Sequence, residues 1–535
     1  MVETMSCGQA LVKLLEHYDV DTVFGIPGTH TLELYRGLAG SRIRHIQPRH
    51  EQGAGFMADG YARASGRPGV CFLIAGPGLL NAATAIAQAY SDSIPMLIIS
   101  SIAAATASGI PEAQIHELPD QPLTMGSITG FSATAAAPGD IPGLVARGFT
   151  SFQSGRPRPV HIALPLDIMA MEAAWPAPPR SAPMIAAAAD KVGLAMAAAL
   201  LMQAARPIIL LGGGGIGRGE AVAAIAERIG APIITTIAAK GAVPDDHPLH
   251  VGSILTTPHG RRMAREADVV LALGTELAAS DTWEAPLAFS GQLIRIDIDH
   301  AALRSHRAAV VLQADLEPSL GQLLQLLPAD DKATHHNGAC DRTAAGRLEA
   351  GRPASELQRR HQRALSVLRG AIPDDAIITA DMAQLAYTAN VSFRCLRPRS
   401  YLYPVGLSTL GYALPAAIGA KLAAPDRAAI ALVGDGGFLF TAAELGTAVE
   451  LSLPIVVLLW NNDGYGQIRD HMTARNIPPI GVNPRNPDFL ALARAFGCRT
   501  ARPASAAGLK REIRSALRRQ VPTVIEIHDD GAWLA

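Results

Sequence analysis

Cysteine is scarce in this chain, and no two cysteines lie close together in the sequence. There are five among 535 residues, none of them in a CxxC pair. This argues against a disulfide framework or a zinc site and favours reduced thiols in a cytoplasmic protein. The N-terminal segment lacks the apolar stretch of a signal peptide, and no apolar run reaches the roughly 18 residues that a membrane-spanning helix needs. We therefore expect a soluble, cytoplasmic protein with no membrane partner.

Charge is also sparse, and neither sign dominates. Charged residues make up 17% of the chain and the formal net charge is -1, so the sequence offers no basic face for nucleic acid. Apolar residues account for 49% of the chain, which is enough for large hydrophobic cores. A length of 535 residues suits roughly three domains of about 150 residues each.

Short apolar runs that end in Gly or Ser turns alternate with helical patterns along most of the chain. This alternation predicts an α/β protein of Rossmann-like domains, each a parallel sheet flanked by helices, with ligands at the carboxyl ends of the strands. A Pro- and Ala-rich stretch at 171–190 and a polar stretch at 329–356 interrupt the pattern and are interpreted as linkers. The predicted domains are residues 1–172, 190–328 and 357–535.

The middle block contains a glycine pattern typical of dinucleotide-binding domains. Gly212, Gly214 and Gly217 follow an apolar run and fit G-x-G-x-x-G. A dinucleotide site also needs an acid at the end of the next strand to bind the ribose, but here the next apolar run leads to Lys240. We expect a central domain without a nicotinamide cofactor.

The third block places two polar clusters directly after neighbouring apolar runs. IALV leads into GDGG at 434–437, and IVVLLW leads into NNDG at 461–464. Parallel strands would deliver Asp435 and Asn462 to one sheet edge, where the glycines let backbone N–H groups approach a phosphate. Carboxylate, amide and carbonyl oxygens suit Mg²⁺ shared with phosphate oxygens. The alternative is that both clusters are glycine turns that simply end strands.

One acid stands out in the first block, in RHEQGAGFMADGYARASG at 49–66. Glu51 precedes small and apolar residues that recur at helical spacing. Taken alone, it is interpreted as a first-turn acid that the helix dipole favours.

These segments together resemble those of thiamine diphosphate (ThDP) enzymes. GDG followed after 24 residues by NN resembles the family's diphosphate-binding motif, and residues 49–63 resemble its pyrimidine-binding segment. The resemblance implies pyrimidine-binding, central and diphosphate-binding domains, with Mg²⁺ bound by Asp435, Asn462 and the Gly464 carbonyl. It also implies that Glu51 binds N1′ of the aminopyrimidine and promotes its imino tautomer. That task requires a carboxyl group whose pKa is raised by an apolar site.

Further segments resemble the family over almost the whole chain. Leu410 would be the wedge that bends the cofactor, unless it is an ordinary core leucine, and the Ser408 carbonyl would accept a hydrogen bond from the 4′-amino group. In this family the pyrimidine domain of one chain faces the diphosphate domain of another, so we expect a homodimer or a dimer of dimers. The remaining cofactor-binding residues implied by the resemblance are Gly76, Ala383, Gln384, Leu385, Gly434, Gly436, Gly437 and Tyr465.

Pocket residues distinguish between the reactions of this family. Pyruvate decarboxylases have an adjacent His-His pair and a glutamate after NNDGY, whereas the first block here has no such pair and Ile468 replaces the glutamate. The segment typical of flavin-binding acetolactate synthases is replaced by GTELAASDTW at 274–283, so we expect no FAD. The chain resembles 5-guanidino-2-oxopentanoate (2-ketoarginine) decarboxylases more closely, at 8–38, at 49–72 and around 116–121.

We therefore expect a ThDP- and Mg²⁺-dependent decarboxylase of a longer 2-oxo acid such as 5-guanidino-2-oxopentanoate, with carboligation as an additional activity. The alternatives are an acetolactate synthase-like ligase acting on pyruvate, and a cofactor-binding homologue without turnover. His30 and His116 are candidates for a catalytic proton relay, or else structural histidines. A guanidinium substrate needs carboxylates in its pocket. The candidates, each otherwise a solvated surface acid, are Glu117, Asp120, Asp281, Glu284, Asp463 and Asp470.

Overall fold

The computed structural model describes residues 5–104, 115–173, 187–283, 286–328 and 338–535. They form three six-stranded parallel sheets flanked by helices, which confirms the predicted fold class. All five cysteines lie in these residues and are free. Within the described ranges, no helix is both long enough and apolar enough to cross a membrane.

The first sheet has the strand order β3-β2-β4-β5-β7-β6, and a short antiparallel pair, β1 with β8, lies beside it. Its strands are β1 (Met5–Ser6), β2 (Thr22–Gly25), β3 (Arg44–Ile46), β4 (Gly69–Leu73), β5 (Met96–Ile102), β6 (Phe131–Thr134), β7 (Val160–Pro165) and β8 (Glu172–Ala173). Its helices are α1 (Cys7–His17), α2 (Leu32–Leu38), α3 (Glu51–Ser65), α4 (Pro77–Ser91), α5 (Gln121–Gly126), α6 (Asp140–Ser151) and α7 (Leu166–Ala170).

The second sheet has the order β11-β10-β9-β12-β13-β14, which is the 3-2-1-4-5-6 order of dinucleotide-binding domains. Its strands are β9 (Pro207–Leu211), β10 (Ile233–Thr235), β11 (His250–Gly252), β12 (Val269–Leu273), β13 (Gln292–Asp297) and β14 (Val310–Gln313). Its helices are α8 (Lys191–Gln203), α9 (Gly219–Ile229), α10 (Pro258–Glu266), α11 (His300–Leu303) and α12 (Leu316–Leu326).

The second predicted linker, residues 329–356, is helical over part of its length. Residues Ala339–Gly351 form α13, and α14 (Glu356–Arg369) follows. The buried face of α13 consists of small residues, Ala339, Thr343 and Gly346. A small-residue face gives no apolar periodicity, and Gly346 lets the helix approach Val251 and Met263 closely.

The third sheet has the order β16-β15-β17-β18-β20-β19. Its strands are β15 (Ile377–Ala380), β16 (Tyr401–Leu402), β17 (Ala429–Gly434), β18 (Ile455–Asn461), β19 (Arg499–Ala501) and β20 (Thr523–His528). Its helices are α15 (Gln384–Ser392), α16 (Ala413–Ala423), α17 (Asp435–Thr441), α18 (Glu444–Glu450), α19 (Gly466–Ala474), α20 (Phe489–Ala495) and α21 (Ala506–Ala516).

The first and third domains share one topology and pack against each other. Ranked along the chain, the strands of both sheets follow the order 2-1-3-4-6-5. Helix α3 follows the second strand of the first sheet, helix α16 follows the second strand of the third sheet, and these two helices pack against each other. One apolar cluster spans both domains. Gly60 and Gly419 allow the close approach, since a Cβ atom at either would overlap backbone of the other helix. This contact packs helix α3, whose first residue is Glu51, against the third domain.

Candidate active site

Two neighbouring strands bring the GDGG and NNDG segments to one sheet edge. Strands β17 and β18 are paired in parallel with Gly434 opposite Trp460, so the turns that follow them emerge side by side. Asp435 is the buried first residue of α17. Its Oδ2 accepts hydrogen bonds from Gly464 N at 2.7 Å and from Asn486 Nδ2 at 2.7 Å. Asn486 was missed from the sequence because it lies outside both motifs.

Three oxygen atoms converge at this edge. The amide oxygen of Asn462 lies 2.8 Å from the Gly464 carbonyl oxygen and 3.1 Å from Asp435 Oδ1, and none of the three can donate a proton to the others. Rotation of the Asn462 amide would place its Nδ2 there as a donor, whereas a hard cation would use all three oxygens as ligands. The donor set therefore fits Mg²⁺.

This oxygen set differs in kind from a transition-metal centre. Among the described residues, no group of three or more His, Cys, Asp and Glu side chains is arranged to hold a metal. The set instead combines one carboxylate, one amide oxygen and one carbonyl, which are ligand types that Mg²⁺ and Ca²⁺ prefer.

Gln384 connects the oxygen set to helix α19. Its Oε1 accepts from Asn462 Nδ2 at 2.9 Å, and its Nε2 donates to Asp470 Oδ2 at 2.8 Å. Asp470, one of the proposed substrate-binding acids, is therefore held beside this edge. Leu385, the next residue, buries its side chain in the core, so only its backbone is available to a ligand.

Gly434, Gly436 and Gly437 form a glycine cradle, in which side chains from neighbouring loops lie very close to the glycine backbone. A Cβ atom on Gly436 would lie 2.7 Å from Tyr465 Cε1, and one on Gly437 would lie 2.5 Å from Asp381 Oδ2. A Cβ atom on Gly434 would lie 3.1 Å from the Ala383 side chain. The cradle thus gathers predicted cofactor residues from three loops, and its glycines have no side chain that would keep a phosphate from the backbone.

The segment with Ser408 and Leu410 borders the same cradle. Leu410 Cδ2 lies 3.7 Å from the position of a Cβ atom on Gly437, and Ser408 has a positive φ of 58°. The buried Asp381 carboxylate accepts hydrogen bonds from the two amides after Leu410, Gly411 N at 3.0 Å and Tyr412 N at 3.2 Å. Burial raises the pKa of Asp381 to about 6. The sequence did not indicate this anchoring carboxylate.

Glu51 lies in a second group of residues, within the first domain. Its Oε2 accepts a hydrogen bond from Asn81 Nδ2 at 2.9 Å, and its Oε1 lies 3.5 Å from the position of a Cβ atom on Gly78. Gly76, with a φ of 61°, lies nearby just before the first residue of α4, and a Cβ atom there would lie 2.6 Å from the His116 carbonyl oxygen. Asn81 was missed because nothing in the local sequence marks it as a partner of Glu51.

The fold creates a histidine pair from distant segments. The rings of His30 and His116 have centroids 5.0 Å apart and are inclined at 59°. Two effects lower the pKa of His30: partial burial is the larger one, and the charge of His116 is the second. Nδ1 of His116 is buried without a hydrogen-bond partner among the described residues. The sequence identified both histidines but not their pairing.

The other proposed substrate-binding acids have scattered environments. Glu117 is exposed next to His116, Asp120 caps helix α5 through Leu123 N, and Asp463 is exposed. Asp281 lines a cavity between domains, where burial raises its pKa to about 7. Glu284 lies outside the described residues. Of these acids, Glu117, Asp463 and Asp470 lie next to other candidate site residues.

The glycine pattern of the central domain has packing explanations. A Cβ atom on Gly212 would overlap the Gly274 carbonyl at the end of β12, and one on Gly214 would lie 3.0 Å from Gly274 Cα. Gly217 has a φ of 84°, which few other residues adopt. The buried Lys240 pairs with Asp245 at 3.7 Å. These glycines are accounted for without a ligand.

Family models match all three domains. The first matches the thiamine pyrophosphate enzyme N-terminal TPP binding domain at residues 5–123. The second matches the central domain of these enzymes at 194–323, and the third matches their C-terminal TPP binding domain at 381–527.

Full-length relatives are similar throughout. The chain is 50% identical to "Probable 2-ketoarginine decarboxylase AruI" of Pseudomonas aeruginosa, covering 98% of this chain and 94% of that protein. It is 32% identical to acetolactate synthase isozyme 1 large subunit of Escherichia coli, covering 97% and 93%. A solved structure of a Mycobacterium smegmatis protein considered to be a thiamin diphosphate-dependent enzyme superposes with a TM-score of 0.85 at 24% identity, covering 98% and 99%. That likeness concerns the fold.

Proposed function

This chain belongs to the thiamine pyrophosphate enzymes, and we propose that it catalyses the non-oxidative decarboxylation of a 2-oxo acid. The observation that carries the proposal is the convergence of the Asp435 carboxylate, the Asn462 amide and the Gly464 carbonyl beside a glycine cradle, in a chain that also has Glu51. A homologue without turnover would have no need of that acid.

Asp435, Asn462 and the Gly464 carbonyl would hold Mg²⁺, and the backbone at Gly434, Gly436 and Gly437 would receive the diphosphate. The glycines allow backbone donors to approach, and α17 directs its positive end toward the same point. Ala383, Gln384, Leu385 and Tyr465 would complete this end of the cofactor site. Leu410 and the Ser408 carbonyl would contact its rings.

Bound thiamine diphosphate supplies the carbon nucleophile and electron sink that decarboxylation requires. Glu51 would hold a proton at N1′ of the aminopyrimidine, and Asn81 Nδ2, at 2.9 Å from the carboxylate, orients it. Conversion of a 2-oxo acid anion to an aldehyde and CO₂ consumes one proton. His30 and His116, paired near Gly76, are the groups that we assign to its delivery.

Two chains would share each active site. Glu51 is hydrogen-bonded to Asn81 in the first domain, whereas Asp435 is hydrogen-bonded to Gly464 and Asn486 in the third. Large apolar side chains are exposed beside each group: Leu80 at 47%, and Leu439 and Phe440 at 41% and 51%. Exposed apolar surface of this kind favours an interface. A homodimer, alone or within a tetramer, would bring Glu51 of one subunit to the diphosphate site of the other.

We propose 5-guanidino-2-oxopentanoate as the substrate, on the strength of the relative that is 50% identical over the whole chain. A guanidinium group is recognised by carboxylates. Glu117 beside the histidine pair, Asp463 between Asn462 and Gly464, and Asp470 beside Gln384 are the acids placed to contribute one.

The test compares two substrates after removal and restoration of Mg²⁺ and thiamine diphosphate. Release of CO₂ and 4-guanidinobutanal from 5-guanidino-2-oxopentanoate, dependent on both additions, supports the proposal. The second candidate, a carboligase acting on pyruvate, is favoured by the 32% identity to an acetolactate synthase subunit. Acetolactate from pyruvate, with no aldehyde from the guanidino acid, would establish that candidate instead.

A further inference from the structure

Glu444 is a buried carboxylate that reaches from the third domain into the first. It is the first residue of α18 and is only 1% exposed. Both of its oxygens lie 3.1 Å from Arg49 N, and Oε1 also lies 3.1 Å from His50 N. Thr447 Oγ1 donates to its Oε2 at 2.9 Å. The carboxylate therefore holds the two backbone amides that immediately precede Glu51.

The surroundings show that this contact is built into the fold. Gly53 lies one turn into α3, and a Cβ atom there would overlap Glu444 Oε1. A side chain at position 53 would therefore expel the carboxylate. Glu444 also sits at the N-terminus of a 15-residue helix, where the partial positive charge of the helix stabilises an anion. Burial raises the pKa of Glu444, and the hydrogen bonds from Arg49, Thr447 and His50 oppose that effect.

We propose that Glu444 is a positioning residue for Glu51: by fixing the Arg49 and His50 amides, it sets the direction in which the Glu51 carboxylate leaves the helix. The inference rests on the proposed function, in which Glu51 holds a proton at the cofactor. It adds that Glu51 is aligned by the diphosphate domain of its own chain, through Glu444, which lies nine residues after Asp435.

A general role in joining the two domains does not account for the contact. That joint is made by α3 and α16, where Gly60 meets Ala416 and Gly419 meets Met57. Across this joint the Tyr412 hydroxyl donates to the buried Asp59 carboxylate at 2.7 Å. These contacts remain when Glu444 is changed, so the domains should stay packed while the start of α3 loses its anchor.

The experiment measures exchange of the C2 proton of thiamine diphosphate for deuterium in the Mg²⁺-loaded holoenzyme, by rapid acid quench and NMR. Glu444→Gln keeps the side-chain size but turns one acceptor into a donor that faces backbone N–H groups. Glu450→Gln is the matched control, because Glu450 lies on the same helix, is 58% exposed, and pairs with the Arg49 guanidinium rather than its amide. Thr447→Val is a milder variant that removes the hydroxyl group, which contacts Glu444 Oε2 at 2.9 Å and the Gln47 carbonyl oxygen at 3.2 Å.

We expect Glu444→Gln to slow exchange and kcat together, on the order of 10- to 100-fold, because small displacements of a reacting group cost this much. The KM, the affinity for thiamine diphosphate and the unfolding temperature should stay near those of the parent. Thr447→Val should slow exchange a few-fold, and Glu450→Gln should change it less than twofold.

Three results would overturn the inference, and one comparison separates it from the proposed function. The inference is refuted if Glu444→Gln and Thr447→Val exchange the C2 proton at the same rate as Glu450→Gln. It is also refuted if exchange slows in Glu444→Gln and Thr447→Val only in proportion to a fall in cofactor affinity or stability. A loss in Glu444→Gln without any in Thr447→Val would also refute it. If Glu51→Gln itself exchanges at the parental rate, the proposed function fails; if only Glu51→Gln is slow, the positioning role fails alone.

Discussion

Asp435→Asn removes the single formal charge from the oxygen set made by Asp435, Asn462 and Gly464. For a divalent ion and a carboxylate oxygen about 2.1 Å apart, Coulomb attraction screened as in bulk water is about 4 kcal/mol. Loss of that attraction corresponds to about a 1,000-fold weaker affinity for Mg²⁺. The affinity for thiamine diphosphate should fall with it, since the metal links the diphosphate to the protein.

The same substitution should leave the cofactor-free protein nearly as stable as before. Asp435 Oδ2 receives two donors, Gly464 N and Asn486 Nδ2, each at 2.7 Å, so the new amide would keep its oxygen there. Its NH₂ group would then occupy the Oδ1 position, 3.1 Å from the Asn462 amide oxygen, and could donate to it. One such hydrogen bond contributes roughly 1 kcal/mol.

Thermal unfolding with and without Mg²⁺ and thiamine diphosphate, together with calorimetric titration of the cofactor, tests this reasoning. The parent should gain stability from the two ligands together, by about 2.7 kcal/mol at 100 times the dissociation constant. Asp435→Asn should gain almost none, while its ligand-free unfolding temperature stays within about 3 °C of the parent. A variant that keeps its Mg²⁺-dependent shift, or that unfolds much earlier without ligands, would refute the assignment.

Three further outcomes are expected. Glu51→Gln should abolish CO₂ release while leaving thiamine diphosphate binding largely intact, measured by turnover and titration; unchanged turnover would rule out its role. His116→Asn should shift the alkaline limb of the kcat–pH profile to higher pH. Partial burial lowers the pKa of His30 first and the neighbouring charge of His116 lowers it further, so removing that charge lets His30, as a proton donor, keep its proton to higher pH; a limb that stays in place contradicts the pairing. Gly436→Ala should weaken thiamine diphosphate binding by about 1–3 kcal/mol, because its methyl group would lie 2.7 Å from the Tyr465 ring. Combining it with Tyr465→Ala should recover part of the lost affinity.

The α/β class, the parallel sheets and the clustering of GDGG with NNDG were predictable because they depend on short segments. A strand followed by a glycine turn and a helix presents its polar residues at the carboxyl edge wherever it occurs in a parallel sheet. Helix α13 was not predictable in the same way, since its buried face of small residues carries no apolar periodicity. The shared strand order of the first and third sheets also has no counterpart in visible sequence repetition.

The sequence by itself determined the α/β organisation. It nominated Asp435 and Asn462 through a local pattern whose chemistry can be interpreted residue by residue, and Glu51 and the two histidines through the family resemblance. Only the tertiary structure decided which of them have partners. His30 meets His116 across 86 residues of chain, and Glu444 holds the amide of Arg49 across 395. Such pairs arise from the packing of whole helices and sheets, and a contact between distant segments leaves no spacing or periodicity in the sequence around either residue.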